Sequence, residues 1–498
     1  QYLGLRASLC HPGIGTVTLG VEGNCGGSAC ADQRNYATFQ LSDGSLMRHG
    51  TKDKHNVTMR YSGLLVRVVI GSFLYFGGMV SPCSSQDLTN LGGDLSTDIP
   101  GRNAIQAAAP NVTDMARVGA QASGFPLFHR VTTPKQGLGP SFANSSCAGC
   151  HVQNGKGPAS FGSPSRHGSS MIVKLKPKGL LPDGSAPEVP GIGRQALDQS
   201  ISKPIKRTLK VVWTEVPGRY ADGSKYSLRK PKVVFPRAMK VPRRTIVSPR
   251  MSPPMIGMGL LEAISARDIV RLSDATDANG DGISGRVNWV KDLTTNRYTI
   301  GRFGFKANHP TVLQQSAAAL YHDMSITNPL FGADEGPIES SMDDLHLLAI
   351  YLRLAGVPKA RSQQDPSVLA GKEIFQRLSC DSCHRMSMTT GTHTDPELSS
   401  QTIHPFTDLL LHDMGRGLAD NWNEFSATGR EWRTTPLWGL GFVKKIGGNR
   451  AVYLHDGRAR SLEEAILWHG GEAAASQKAF VALPQSERRS LIDFLNSL

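Results

Sequence analysis

Apolar residues recur at helical spacing over residues 342–354 (MDDLHLLAIYLRL) and 462–469 (LEEAILWH), and SERRSLIDFLNSL closes the chain in a capped amphipathic stretch. Residues 369–378 (LAGKEIFQRL) carry a further apolar face broken by a single glycine. These stripes predict helices whose apolar sides form core. Between about 170 and 250 the pattern changes to short β-branched runs, KVVWTEV and KVVFP, with DGS turns around them, which predicts a small antiparallel β element. The patterning therefore predicts a mainly α chain with one small β insertion.

Two stretches of this pattern occur twice. GFPLFHR (124–130) and GKEIFQR (371–377) share G-x-x-[LI]-F-x-R, and SPPMIGMG (252–259) and TTPLWGLG (434–441) share a polar residue, proline, an apolar pair and spaced glycines. Duplication of one unit produces such pairs, with the β element lengthening the first copy. The expected units are residues 116–340, carrying the insertion at about 170–250, and residues 341–498. Residues 84–115, rich in Ser, Thr, Asn, Gly and Ala, read as a linker.

The first 83 residues follow another logic. From Met59 a short basic start leads into an apolar run from Leu64 to Val80 and then small residues up to Cys83, the outline of an export signal over 59–83, with a lipid-anchored cysteine as a variant. Residues 1–58, with Cys10, Cys25 and Cys30 scattered and no apolar period, read as a disordered leader or an over-extended reading frame. The chain has 498 residues, enough for more than one core, and a formal net charge of +14. That excess suits an acidic redox partner or an anionic membrane surface; no nucleic-acid motif accompanies it.

Chemistry concentrates in four of the eight cysteines. Cys147, Cys150 and His151, and again Cys380, Cys383 and His384, form C-x-x-C-H, the spacing at which two thiols bind one haem covalently while the histidine ligates its iron. A four-thiolate zinc site is the alternative, but its cysteine pairs normally lie close together and need no following histidine. Two covalently bound c-type haems are the expected cofactors, and covalent haem points with the export signal to the periplasm. Further along, Asp277, Asn279 and Asp281 precede Gly282 at alternate positions of a tight loop, the spacing calcium uses, although Asn288 stands where an EF-hand has glutamate; an Asx-bonded turn is the alternative.

GLGPSFANSSCAGCH, PPMIGMGLLEAI, DANGDGISGRVNWV, GRFGFKA, DLLLHDMGRGLAD, EWRTTPLWGLG and YLHDGRARSLEEAILWHGGEA together resemble the di-haem oxidoreductases, a family also described as di-haem peroxidase or thiol-oxidoreductase-like, and more distantly the di-haem cytochrome c peroxidases and MauG enzymes. The resemblance implies two cytochrome c-like haem domains, one haem passing electrons and the other, in the N-terminal domain, reducing peroxide. In the distant relatives a methionine or tyrosine near the matching C-terminal segment is the sixth iron ligand; here that segment reads Tyr453, Leu454, His455.

Candidate sixth ligands for the second haem are His455 and Met414, with Tyr453 behind them; for the first they are His129, Met255 and Met258. Glu262 is the candidate proton-transfer residue, with Glu215 behind it, and a helix-start carboxylate is the alternative role for Glu262. Expected partners are a small redox protein or other electron donor and peroxide or an organic substrate. A pure di-haem electron carrier, a MauG-like oxidase and a haem redox sensor are the competing functions.

Overall fold

The structure is a computed structural model that describes residues 87–99, 105–157, 170–197, 199–201 and 209–498, together with strands Gly15–Gly20, Tyr36–Leu41, Asn56–Tyr61 and Leu64–Val69. Those four strands form two antiparallel pairs within a first compact unit, residues 1–85; residues 86–498 form the second. Apart from these strands, the expected leader (1–58) and export signal (59–83) lie outside the described residues. No described helix is long and apolar enough to cross a membrane.

The expectation of a mainly α chain is overturned. Helix accounts for 34% and strand for 19%, and every sheet among the described residues is a two-stranded pair. In the expected β insertion, β1 (Met171–Lys176) pairs with β4 (Ile246–Met251), and β2 (Lys210–Arg219) with β3 (Lys225–Val234), turning at DGS. Several other pairs are two or three residues long and join separate segments, as when β5 (Leu411–Asp413) meets β6 (Glu431–Arg433). Pairings that short leave no period in the sequence.

The two C-x-x-C-H motifs are framed by helices α1 (Met115–His129), α2 (Cys147–Cys150), α3 (Met258–Ala263), α4 (Val312–Met324), α5 (Met342–Arg353), α6 (Pro366–Arg377), α7 (Leu462–Leu467) and α8 (Gln485–Ser497). Their starts follow from sequence. Ser341 and Asp344 form a capping box on α5, and Asp365 caps α6 with Pro366 in its first turn.

The repeat seen in sequence is a repeat of helix contacts. A β-carbon on Gly124 of α1 would meet the Leu347 carbonyl of α5 at 2.2 Å, and one on Gly371 of α6 would meet the Ser490 carbonyl of α8 at 2.0 Å. Six residues further along the same partner helices, Gly259 lies against the Arg353 carbonyl (2.4 Å) and Gly441 against that of Asn496 (2.1 Å). Both glycines of each copy thus let backbone pack on backbone. Helix α5 therefore packs on the first set of repeated glycines as α8 packs on the second.

One apolar core runs through both copies. It also takes in Leu88, Leu91, Leu95, Ile105 and Val112, so the described part of the segment expected as a linker is packed; its leucines are too sparse and irregular to read as an element.

Candidate functional site

At the first C-x-x-C-H, Ser146 caps α2 by accepting from Gly149 N, which fixes the turn carrying Cys147 and Cys150. His151 comes next, and its Nδ1 donates to the carbonyl of Pro253 (2.8 Å). A carbonyl can only accept, so the proton sits on Nδ1 and the Nε2 lone pair is free. Burial drives the imidazole down to about 4, against the opposing pull of the Pro253 bond, so the ring is neutral. Burial pushes the Cys147 thiol up to about 12.

Beside His151 is a cavity of about 210 Å³. One part of its wall is apolar, with Phe128, Met255, Met258, Leu261, Phe303 and Trp438; another is polar, with Lys174, His309, Gln315, His322, Asp323 and Arg433. His309 Nδ1 and Gln315 Oε1 are buried without a hydrogen-bond partner. Burial holds His309 at about 4 and His322 well below its ordinary value, while it lifts the Asp323 carboxyl to about 6 despite Gln195 and Lys174 nearby.

The second motif repeats the geometry. His384 Nδ1 donates to Phe406 O (2.9 Å), and burial brings the ring to about 4. Phe375 stands 6.4 Å from His384 as Phe128 stands 6.3 Å from His151. The charges acting on His384 come from His469, Asp408 and His412. His469 lies half-buried just beyond α7, and its Nδ1 donates to Ala465 O (2.8 Å), again leaving the Nε2 lone pair free.

His412 is different. It lies between two carboxylates, with Nε2 2.9 Å from Asp408 and Nδ1 2.7 Å from Glu472, and its Nδ1 is 3.7 Å from Cys383 Sγ. Burial works to lower it, but the bonds to Asp408, Cys383 and Glu472 prevail and raise it to about 12, so it is an imidazolium. Cys383, Asp408 and His412 are the one group of His, Cys, Asp or Glu gathered closely enough for a metal among the described residues. With both ring nitrogens protonated, His412 has no lone pair to give one.

The loops between the motifs meet. A β-carbon on Gly257, at φ +60°, would strike the Trp438 ring (2.2 Å), and one on Gly439, at φ +71°, would strike Ile256 (2.2 Å). Leu437 N donates to Pro405 O, one residue before the carbonyl that holds His384. Trp438 lines the cavity beside His151, and the residue before it is bonded to the segment that anchors His384.

The family described as "Di-haem oxidoreductase, putative peroxidase" matches residues 215–350 and 335–498. The chain belongs to that family. No curated protein and no solved structure matches it.

Haem is accordingly the cofactor of this di-haem oxidoreductase, and the donor chemistry fits it. Each motif presents two thiols and a neutral imidazole with its free lone pair on Nε2.

Of the other expected residues, Glu262 does not line the cavity: it pairs with Arg353 (Nη2–Oε1 3.1 Å) and accepts from Val312 N at the start of α4, the helix-start role. Glu215 is exposed on β2, bonded to Ser227 and Arg460. His455 lies flat on Trp432 (3.7 Å between rings), with Nε2 3.5 Å from Asp456, and Tyr453 is buried in the core. Met414 is half-buried against the core. His129 has both nitrogens engaged, by Phe125 O and Gln106, whereas Met255 and Met258 do line the cavity.

The oxygens of Asp277, Asn279 and Asp281 accept from the backbone of Gly282, Asp281 and Ile283, so the loop closes on itself as an Asx-bonded turn. His469, Asp323 and Gln315 were missed. His469 ends an amphipathic run read as core, and Asp323 and Gln315 lie far in sequence from the cysteines they join in space.

Proposed function

We propose that this di-haem oxidoreductase is a periplasmic peroxidase with two covalently attached haems, the first catalytic and the second an electron relay. Cys147, Cys150 and His151 would hold the first, and Cys380, Cys383 and His384 the second, with the free Nε2 of His469 a further donor available to the second. One observation carries the reading: the cavity lined by His151 is also lined by a half-buried carboxyl, Asp323, raised by desolvation to about 6, and by Gln315, whose amide oxygen is buried without a hydrogen-bond partner.

Haem supplies the iron chemistry that breaks the O–O bond and delivers electrons. The chain's residues do the rest. Asp323, ionised above about pH 6, takes a proton from one peroxide oxygen and returns it to the other, so that H2O2, two electrons and two protons give two waters. Gln315 and His309 orient the peroxide, and the apolar wall excludes bulk water. Trp438 connects the two sites.

Asp323→Asn tests the assignment. Peroxide turnover with a reduced donor is expected to fall roughly 10²-fold or more with the absorption spectrum unchanged. Equal turnover in the variant would remove Asp323 from the mechanism. Two low-spin haems indifferent to peroxide in the unaltered protein would instead make it an electron carrier.

A further inference from the structure

The hairpin of β2 and β3 leaves the first repeat and lies along the second. Tyr220 donates to Glu463 at the start of α7, Arg229 donates to the carbonyls of Gly457 and Arg458, and Lys230 Nζ stands 5.9 Å from the ring of Trp468. Trp468 directly precedes His469, whose ring lies near enough to act electrostatically on His384. The ribbon therefore packs along the segment that carries His469.

Strand pairing sorts its side chains. Lys210 is opposite Val234, Val212 opposite Lys232 and Thr214 opposite Lys230, so these six share one face. All six are exposed there, and Val212 (51%) and Val234 (40%) are among the exposed large apolar side chains. None of the three lysines holds an ion pair among the described residues, whereas Glu215, on the opposite face, is tied to Arg460. Residues 209–244 as a whole contain ten Lys or Arg against Glu215 and Asp222, most of the chain's net +14.

We propose that this face, two exposed valines among unpaired lysines, docks an acidic one-electron carrier protein that reduces the second haem. The proposal rests on the second site being the relay. Complementary charge draws such a carrier to the ribbon and orients it, and the valines give a small dry contact suited to a brief encounter. Lys230 over Trp468 brings the docked protein to the side chain next to His469.

The test is stopped-flow reduction of the ferric protein, without peroxide, by photoreduced plant-type [2Fe–2S] ferredoxin, an acidic one-electron donor, beside reduction by dithionite. In K210E/K230E/K232E the ferredoxin rate constant is expected to drop about tenfold or more at low salt and to lose its salt dependence, while the dithionite rate and the haem spectrum hold. An unchanged ferredoxin rate and salt slope would overturn the proposal. So would a loss that appears only in R237E/K240E/R243E/R244E, which alters the basic segment beyond the ribbon. K210Q/K230Q/K232Q, with a smaller drop in the same order, separates charge from damage to the strands. Because only reduction is read, a protein that fails to turn over peroxide still answers the question.

Discussion

Asp323, half-buried, and His412, buried, are both raised, the one toward its neutral form and the other toward its cation. Burial raises Asp323 to about 6 against the pull of Gln195 and Lys174, and in the proposed mechanism its ionised form accepts the proton from peroxide. The turnover limb should therefore rise with pH through about 6 with the slope of one proton, and Asp323→Asn should lack that limb in a pH–rate profile. His412 is held as a cation by Asp408 and Glu472, up from an ordinary 6.5 to about 12. A raised value in the folded state adds stability that is complete below 6.5 and declines as pH climbs towards 12. Replacing His412 by Asn leaves two buried carboxylates facing each other and should cost about 3–5 kcal/mol at neutral pH in urea unfolding. The gap to the unaltered protein should narrow between pH 7 and 10, and D408N/H412N/E472Q should recover most of the loss. From sequence, DLLLHDM drew attention to its methionine. The histidine two residues earlier carried no signal, because its partner Glu472 lies in another element.

At the scale of elements, the C-x-x-C-H turns, the repeated glycines and the helices around them were legible, because each is local. What was not legible was pairing at a distance. Phe406, whose carbonyl orients His384, lies outside every repeated motif, whereas Pro253, which does the same for His151, lies inside one. The matching TTPLWGLG loop serves as the bridge instead. The helix contacts make a sharp prediction: in Gly371→Ala the added methyl meets the Ser490 carbonyl, which belongs to a helix backbone and cannot swing away. Overpacking of this kind should cost on the order of 1–3 kcal/mol, read as a lower melting temperature, and Gly124→Ala should behave alike. Gly119→Ala, on the same helix as Gly124 but with open space around it, is the control and should be neutral or slightly stabilising.

For the whole molecule, the question is how the two sites communicate. Two tryptophans lie in the right region. Lys306 stands 3.8 Å from the Trp432 ring centroid and Arg250 5.4 Å, and cations over an indole face make its oxidised form harder to reach. No cation lies over Trp438 among the described residues. Electron transfer between the haems after single-electron reduction should accordingly slow in Trp438→Phe and stay near the unaltered rate in Trp432→Phe, followed by time-resolved absorption. The Asp277–Asp281 turn gives a further expectation at this scale. Its oxygens accept from its own backbone without an ion, so dialysis against a calcium chelator is expected to leave melting temperature and turnover unchanged; a fall in either would place calcium in that loop.

The meeting of Trp438 with Gly257 and of Ile256 with Gly439 is reciprocal: in each copy of the loop, the residue before the glycine fills the space above the other copy's glycine. That is the contact pattern of a two-fold axis, in which one surface patch meets itself. The ancestor it implies is a homodimer of chains with a single C-x-x-C-H, whose two copies were later joined end to end. Such a history remains open to experiment, since a chain divided between α5 and α6, at the exposed Gln364, should yield two fragments that reassemble through this handshake when co-expressed.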